Sequence, residues 1–118
     1  MNRIESTILR HLVHDEQYMR RVFPFLKAEY FGEASDRAVF GCIQQFVNDY
    51  NSCPTQEALE IALQKTNLKE EQFREAAELV AGLTTEPSNT EWLTTETEKW
   101  CKERAVYNAI LKLSLIHI

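Results

Sequence analysis

Residues 88–113 read SNTEWLTTETEKWCKERAVYNAILKL, and this stretch decides the fold because it contains neither Gly nor Pro. It predicts one uninterrupted helix. Ser88 and Glu91 have the spacing of a capping box, in which both side chains bond to free backbone N–H groups at the helix start. At about 1.5 Å per residue this helix would be roughly 36 Å long, whereas a domain of this size has a radius of gyration of only ~13 Å. The helix must therefore span the whole domain or project beyond it.

Two apolar seams run along this helix. The first repeats every seven residues: Leu93, Trp100 and Tyr107. The second follows at helical spacing towards the end: Val106, Ile110 and Leu113. A single helix cannot bury both seams by itself. We interpret Trp92 and Trp100 as aromatic residues of the core or of its edge.

The bulk composition is that of one ordinary globular domain. The chain has 118 residues, of which 44% are hydrophobic and 26% charged. It contains no apolar run long enough to cross a bilayer and opens with no signal peptide. Its three cysteines are widely spaced and form no Cys-x-x-Cys pair, a pattern typical of reduced thiols. These features predict a cytoplasmic protein that is not bound to a membrane.

The net charge of −5 is unevenly distributed along the chain. Residues 1–27 carry five basic and three acidic side chains, residues 28–98 four and fourteen, and residues 99–118 four and one. Affinity for a nucleic-acid backbone comes mostly from Lys and Arg. The acidic centre therefore disfavours a small DNA-binding domain, and only the two ends have the charge to contact nucleic acid.

The rest of the chain predicts five shorter helices and one helical turn. They are residues 3–13, a short helix capped by Asp15, a turn over 27–31, residues 35–50, a helix capped by Thr55, and a helix opened by Asn67 and Glu70. The clearest core stripe lies within residues 35–50: Val39, Phe40, Ile43, Phe46, Val47 and Tyr50. No alternating pattern indicates a strand. The sequence thus predicts an all-α, compact bundle of about six helices.

No motif predicts a catalytic, cofactor or metal site. The three glycines are dispersed and none precedes a Lys, so both common phosphate-binding loops are missing. His11 and His14 have a spacing that suits one metal ion, but no third ligand is evident and exposed surface histidines are the favoured interpretation. The acidic pairs at helix starts are better explained by the helix dipole than by catalysis.

A small basic group on the long helix leaves two interpretations open. Lys99, Lys102 and Arg104 alternate with Trp100 and Tyr107. This arrangement suits nucleic acid or an acidic partner. A solvated helix face is the favoured interpretation, because charges at these spacings also stabilise the helix.

With these residues in view, the chain resembles the N-terminal domain of DnaB-type replicative helicases, most of all those of T-even-type bacteriophages. The resemblance covers residues 1–112. Four stretches carry it: Ile8-Leu9 with His11-Leu12, Glu29-Tyr30-Phe31, Pro54-Thr55 with Ala58-Leu59, and Glu96-Thr97-Glu98-Lys99 followed by Arg104-Ala105 and Asn108-Ala109. The last stretch is the most specific. The resemblance implies a compact helical head whose long C-terminal helix leads into a helical hairpin.

The same resemblance implies a function in assembly and docking. Six heads of this family form a hexameric collar that contacts primase and a helicase loader. A separate motor domain, missing from this chain, binds ATP and Mg²⁺ and moves along single-stranded DNA. The candidate interface residues are Trp100, Arg104, Val106, Tyr107, Ile110 and Leu113. Residues 113–118 depart from the family pattern, and we expect them to be a truncated end or a foreign tail.

A stand-alone phage adaptor or regulator is the alternative, with the same helical head and a protein partner but no motor. A reading frame that continued beyond codon 118 into a linker and a Gly-Lys-Ser/Thr loop would exclude it.

Overall fold

The computed structural model describes residues 3–83 and 89–116. Within these ranges it contains helices and no strand, so the predicted all-α fold is confirmed. The helices are α1 (Arg3–His14), α2 (Glu16–Val22), α3 (Ala34–Tyr50), α4 (Gln56–Gln64), α5 (Glu70–Ala81) and α6 (Thr90–Ile116). Two short 3-10 turns, Phe23–Phe25 and Ala28–Tyr30, connect α2 to α3. No helix in the described ranges is both long and apolar enough to cross a membrane.

Side-chain caps start several of the helices. Asp15 accepts the Tyr18 N–H at the start of α2, and Thr55 accepts the Ala58 N–H at the start of α4, as predicted. The α5 prediction was wrong by two residues, because its N-cap is Lys69 and the cap makes no side-chain bond. The capping residue of α6 is Asn89, whose Oδ1 accepts the Trp92 N–H at 2.9 Å.

The predicted cap residue Ser88 lies outside the described residues. The α6 helix has 27 residues, which corresponds to about 40 Å, and the longest dimension of the molecule is 45 Å. The helix therefore spans almost the whole domain. It continues to Ile116, past the start of the predicted tail at residue 113, and the expected hairpin stays a prediction.

An aromatic cluster at the centre of the bundle joins three parts of the chain. The Phe40 ring of α3 stacks on Phe31, with ring centroids 5.1 Å apart. Phe31 in turn contacts Trp100 of α6 at 5.1 Å, and Tyr30 meets the Trp100 ring edge-on at 6.1 Å. Phe40 is fully buried. The segment after the second 3-10 turn is thus held between α3 and α6, and this packing fixes the position of α6.

The predicted core stripe of α3 is only partly correct. Val39, Phe40, Ile43 and Val47 are buried, but Phe46 is half-buried and Tyr50 is 68% exposed. Both aromatic rings lie on an open groove between α3 and α4, which small residues of α4 such as Ala58 and Ala62 leave uncovered. Phe46 and Tyr50 contact each other there at 4.8 Å. The apolar stripe of α3 therefore extends beyond the face of the helix that the bundle buries.

The buried face of α6 lies in its first half. Four side chains form it at helical spacing: Leu93, Thr97, Trp100 and Cys101. Thr97 is fully buried and its Oγ1 lies 2.6 Å from the Tyr18 hydroxyl of α2. This pair was not predictable from the sequence, because an isolated Thr gives no apolar signal. The bond joins α2 to α6 inside the core.

We expect Tyr18→Phe to lower the free energy of unfolding by about 1–2 kcal/mol, because the Thr97 hydroxyl then loses its partner in a buried site. Tyr18→Phe combined with Thr97→Val removes both hydroxyls and should cost less than the sum of the two single changes by roughly 1 kcal/mol. Urea denaturation of the four proteins measures this coupling. Strictly additive costs would show that the two hydroxyls do not stabilise each other.

Two acidic side chains are buried where α1 packs on α3. Glu5 accepts the Gly32 N–H at 2.9 Å, whereas Asp36 is fully buried and its carboxylate oxygens have no hydrogen-bond partner among the described residues. Burial, and to a smaller extent the negative charges of Glu5 and Glu33, raises the pKa of Asp36 from 3.8 to about 6. The charged form of Asp36 therefore opposes folding.

This pKa shift predicts a pH-dependent stability. A raised pKa in the folded state stabilises the protein fully below the unfolded pKa, and the contribution disappears as the pH rises through about 6. Asp36→Asn should therefore raise the free energy of unfolding by about 1–3 kcal/mol near pH 7.5. The difference from the unmodified chain should shrink as the pH falls towards ~5. Denaturation curves that differ equally at both pH values would refute this role of Asp36.

Candidate assembly interface

The second half of α6 rests on the second 3-10 turn through polar contacts. Arg104 Nε donates to the Tyr30 carbonyl oxygen at 2.8 Å, and Asn108 Nδ2 donates to the Glu29 carbonyl oxygen at 3.2 Å. Lys112 Nζ lies 4.0 Å from the Glu29 carboxylate. These three residues are spaced by four and share one face of the helix. Two hydrogen bonds and a weak ion pair thus hold this part of α6 against the head.

The opposite face of the same half-helix is apolar and open. We call Val106, Ile110 and Leu113 the apolar row; their side chains are 59%, 56% and 56% exposed. At 3.6 residues per turn the row lies on the side of α6 roughly opposite Arg104 and Asn108. None of the described side chains beyond Cys101 is buried. The head therefore leaves the apolar row uncovered, while the polar face fixes its orientation.

The other candidate interface residues have different surroundings. Trp100 is buried against Phe31 and Tyr30, so most of its side chain belongs to the core. Tyr107 is half-exposed, and the Arg104 guanidinium lies 4.8 Å from its ring centroid. This contact orients the tyrosine beside the apolar row. The core interpretation of Trp92 was wrong, since this residue is largely exposed at the start of α6.

The two histidines singled out by their spacing have separate partners, and the surface interpretation was wrong for His11, which is buried, whereas His14 is exposed. His11 Nδ1 donates to the Thr7 carbonyl oxygen and His14 Nε2 donates to the Leu83 carbonyl oxygen, both at 3.0 Å. Among the described residues no three His, Cys, Asp or Glu side chains form a group that suits a metal ion. The first histidine stabilises its own helix, and the second ties α1 to the end of α5.

The polar face of α6 was not predicted, although its residues were already conspicuous in the sequence. Glu29 and Tyr30, and Arg104 and Asn108, are among the residues that carry the resemblance stated above, and the structure brings these two stretches into contact. The spacing of four between Arg104, Asn108 and Lys112 indicates that these residues share one polar face of the helix. It does not reveal that the partners are backbone carbonyl oxygens.

Comparison with known proteins agrees with the resemblance. The chain is 35% identical over 106 residues to a DnaB-like replicative helicase of Enterobacteria phage T4. The match covers 90% of this chain but 22% of that helicase, so the chain spans about a fifth of the length of the curated relative it matches. No protein-family model matches the chain.

Proposed function

We propose that this chain, a relative of DnaB-like replicative helicases, is an N-terminal assembly and docking domain of such a helicase. In this proposal, heads associate into a hexameric collar and offer surfaces to primase and a helicase loader. In the same proposal, ATP hydrolysis with Mg²⁺ and movement along single-stranded DNA belong to a separate motor domain. The helicase would act in the cytoplasm of a phage-infected bacterium.

The apolar row is the observation that carries the proposal. Monomeric proteins seldom leave several large apolar side chains exposed side by side, and such patches usually mark an interface. Here the row lies on a helix whose other face is fixed by Arg104 and Asn108. It is therefore presented to a partner at little cost in conformational entropy.

The charge distribution supports a docking function over direct DNA binding by the head. Residues 28–98, which include α3, α4 and α5, carry four basic and fourteen acidic side chains. Phosphate groups are repelled by such a surface, whereas basic protein surfaces are attracted to it.

Size-exclusion chromatography with the primase and the loader of the same phage tests the docking function. We expect the 118-residue chain to elute with at least one of them at micromolar concentration. The complex should weaken as salt is raised if the acidic surface contributes. Separate elution of all three proteins at concentrations well above micromolar would contradict docking, whatever the state of self-association.

A further inference from the structure

A second open surface lies on another side of α6, between this helix and the first 3-10 turn. It is a groove of about 440 Å³ whose walls and floor come from Pro24, Phe25, Lys27, Tyr30, Glu98, Cys101, Lys102 and Ala105. Phe25 forms one wall and is 52% exposed, while the side chains of Tyr30 and Cys101 are buried below the opening. The small Ala105 leaves space beside Phe25. The shape suits an apolar side chain inserted from outside.

The groove lies where the two basic ends of the sequence meet. Residues 1–27 and residues 99–118 each carry an excess of positive charge, although 71 residues separate them. Packing of α2 against α6 brings the two segments together. Lys27 from the first and Lys102 from the second both border the groove, against one acidic residue, Glu98. The opening of the groove is thus apolar with a small net positive charge.

This combination favours an acidic peptide over a nucleic acid. Single-stranded nucleic acid is usually held by several aromatic rings and a continuous basic track. The groove offers one exposed ring and two lysines, and it has a recessed floor instead of a flat stacking platform. An apolar side chain fills such a recess, and flanking carboxylates complement the two lysines.

We propose that this groove binds a partner segment that presents an apolar side chain flanked by Asp or Glu residues. The inference deepens the docking part of the proposed function. The groove is distinct from the apolar row, because Val106, Ile110 and Leu113 do not line it, although Lys102 borders both surfaces.

A displayed library of random helical peptides, selected against the 118-residue chain, tests the proposal. The variant used for the selection carries Ile110→Gln and Leu113→Gln. These changes reduce the apolar character of the row without adding charge. Selected sequences should combine an apolar residue with neighbouring Asp or Glu. Fluorescence anisotropy of the tightest peptide should then show binding weakened about tenfold by Lys27→Glu with Lys102→Glu. Phe25→Ala should weaken it comparably, since Phe25 is an exposed wall of the groove.

Lys65→Glu with Lys69→Glu is the matched control, because both lysines are exposed outside the groove and the charge change is identical. It should leave peptide affinity within about twofold of the parent. Equal losses in both double variants, or selected peptides without acidic residues, would overturn the proposal. So would oligo-dT binding that exceeds peptide binding and is lost with Phe25→Ala, since the groove would then be a nucleic-acid site.

Discussion

Phe40→Ala is expected to lower the free energy of unfolding by about 3–5 kcal/mol, a large part of the stability of a domain this small. Phe40 is fully buried and stacks on Phe31, which contacts Trp100. Truncation leaves a cavity at the point where α3, the second 3-10 turn and α6 meet. Chemical denaturation followed by circular dichroism measures the loss, and Phe40→Leu should retain more of the stability.

Phe46→Ala provides the comparison, because Phe46 is on the same helix but is only half-buried. Its loss should cost no more than roughly 1–2 kcal/mol, since less apolar area returns to water. The helical pattern placed Phe46 in the same core stripe as Phe40. A greater cost for Phe46→Ala than for Phe40→Ala would mean that the α3–α4 groove is closed in solution.

Helical periodicity predicted the helices of this fold. It did not predict which of their apolar side chains neighbouring helices would bury. The stripe of α3 repeats correctly at three and four residues, yet only one side of it meets α5 and the aromatic cluster. Whether Phe46 and Tyr50 are covered depends on the size of facing side chains in α4, where Ala58 and Ala62 are too small. That information is tertiary, and no pattern within one helix contains it.

Only part of the candidate interface could be predicted, because here too burial depends on tertiary contacts. The sequence predicted Val106, Ile110 and Leu113 as an apolar seam and as candidate interface residues, and all three are exposed. Trp100 is also an apolar residue of this helix, but it contacts Phe31 and is buried. The hydrogen bonds of Arg104 and Asn108 to backbone carbonyl oxygens could not be inferred, because any backbone segment offers such acceptors.

Ile110→Lys with Leu113→Lys is the second change with a large expected effect. If the apolar row is buried between copies, each lysine places a charge in an apolar contact, which costs several kcal/mol per ion. Self-association should weaken by at least about a hundredfold. The helicity of the head should hardly change, because both side chains are exposed and outside the core.

A matched control shows whether the position of the new lysines, and not the added charge alone, weakens self-association. Ile61→Lys with Trp92→Lys also introduces two lysines at exposed apolar positions, but on α4 and at the start of α6. This variant should associate like the unmodified chain. A large fall in the circular dichroism signal of Ile110→Lys with Leu113→Lys would instead show that the row folds back onto the head.

Sedimentation velocity of these three proteins over a micromolar concentration series tests the assembly proposal most directly. We predict that the unmodified chain and the Ile61→Lys with Trp92→Lys control sediment faster as concentration rises. Ile110→Lys with Leu113→Lys should remain at the mass of the 13.8 kDa monomer. An unmodified chain that stays monomeric throughout, or a control that loses association equally, would contradict assembly through the apolar row.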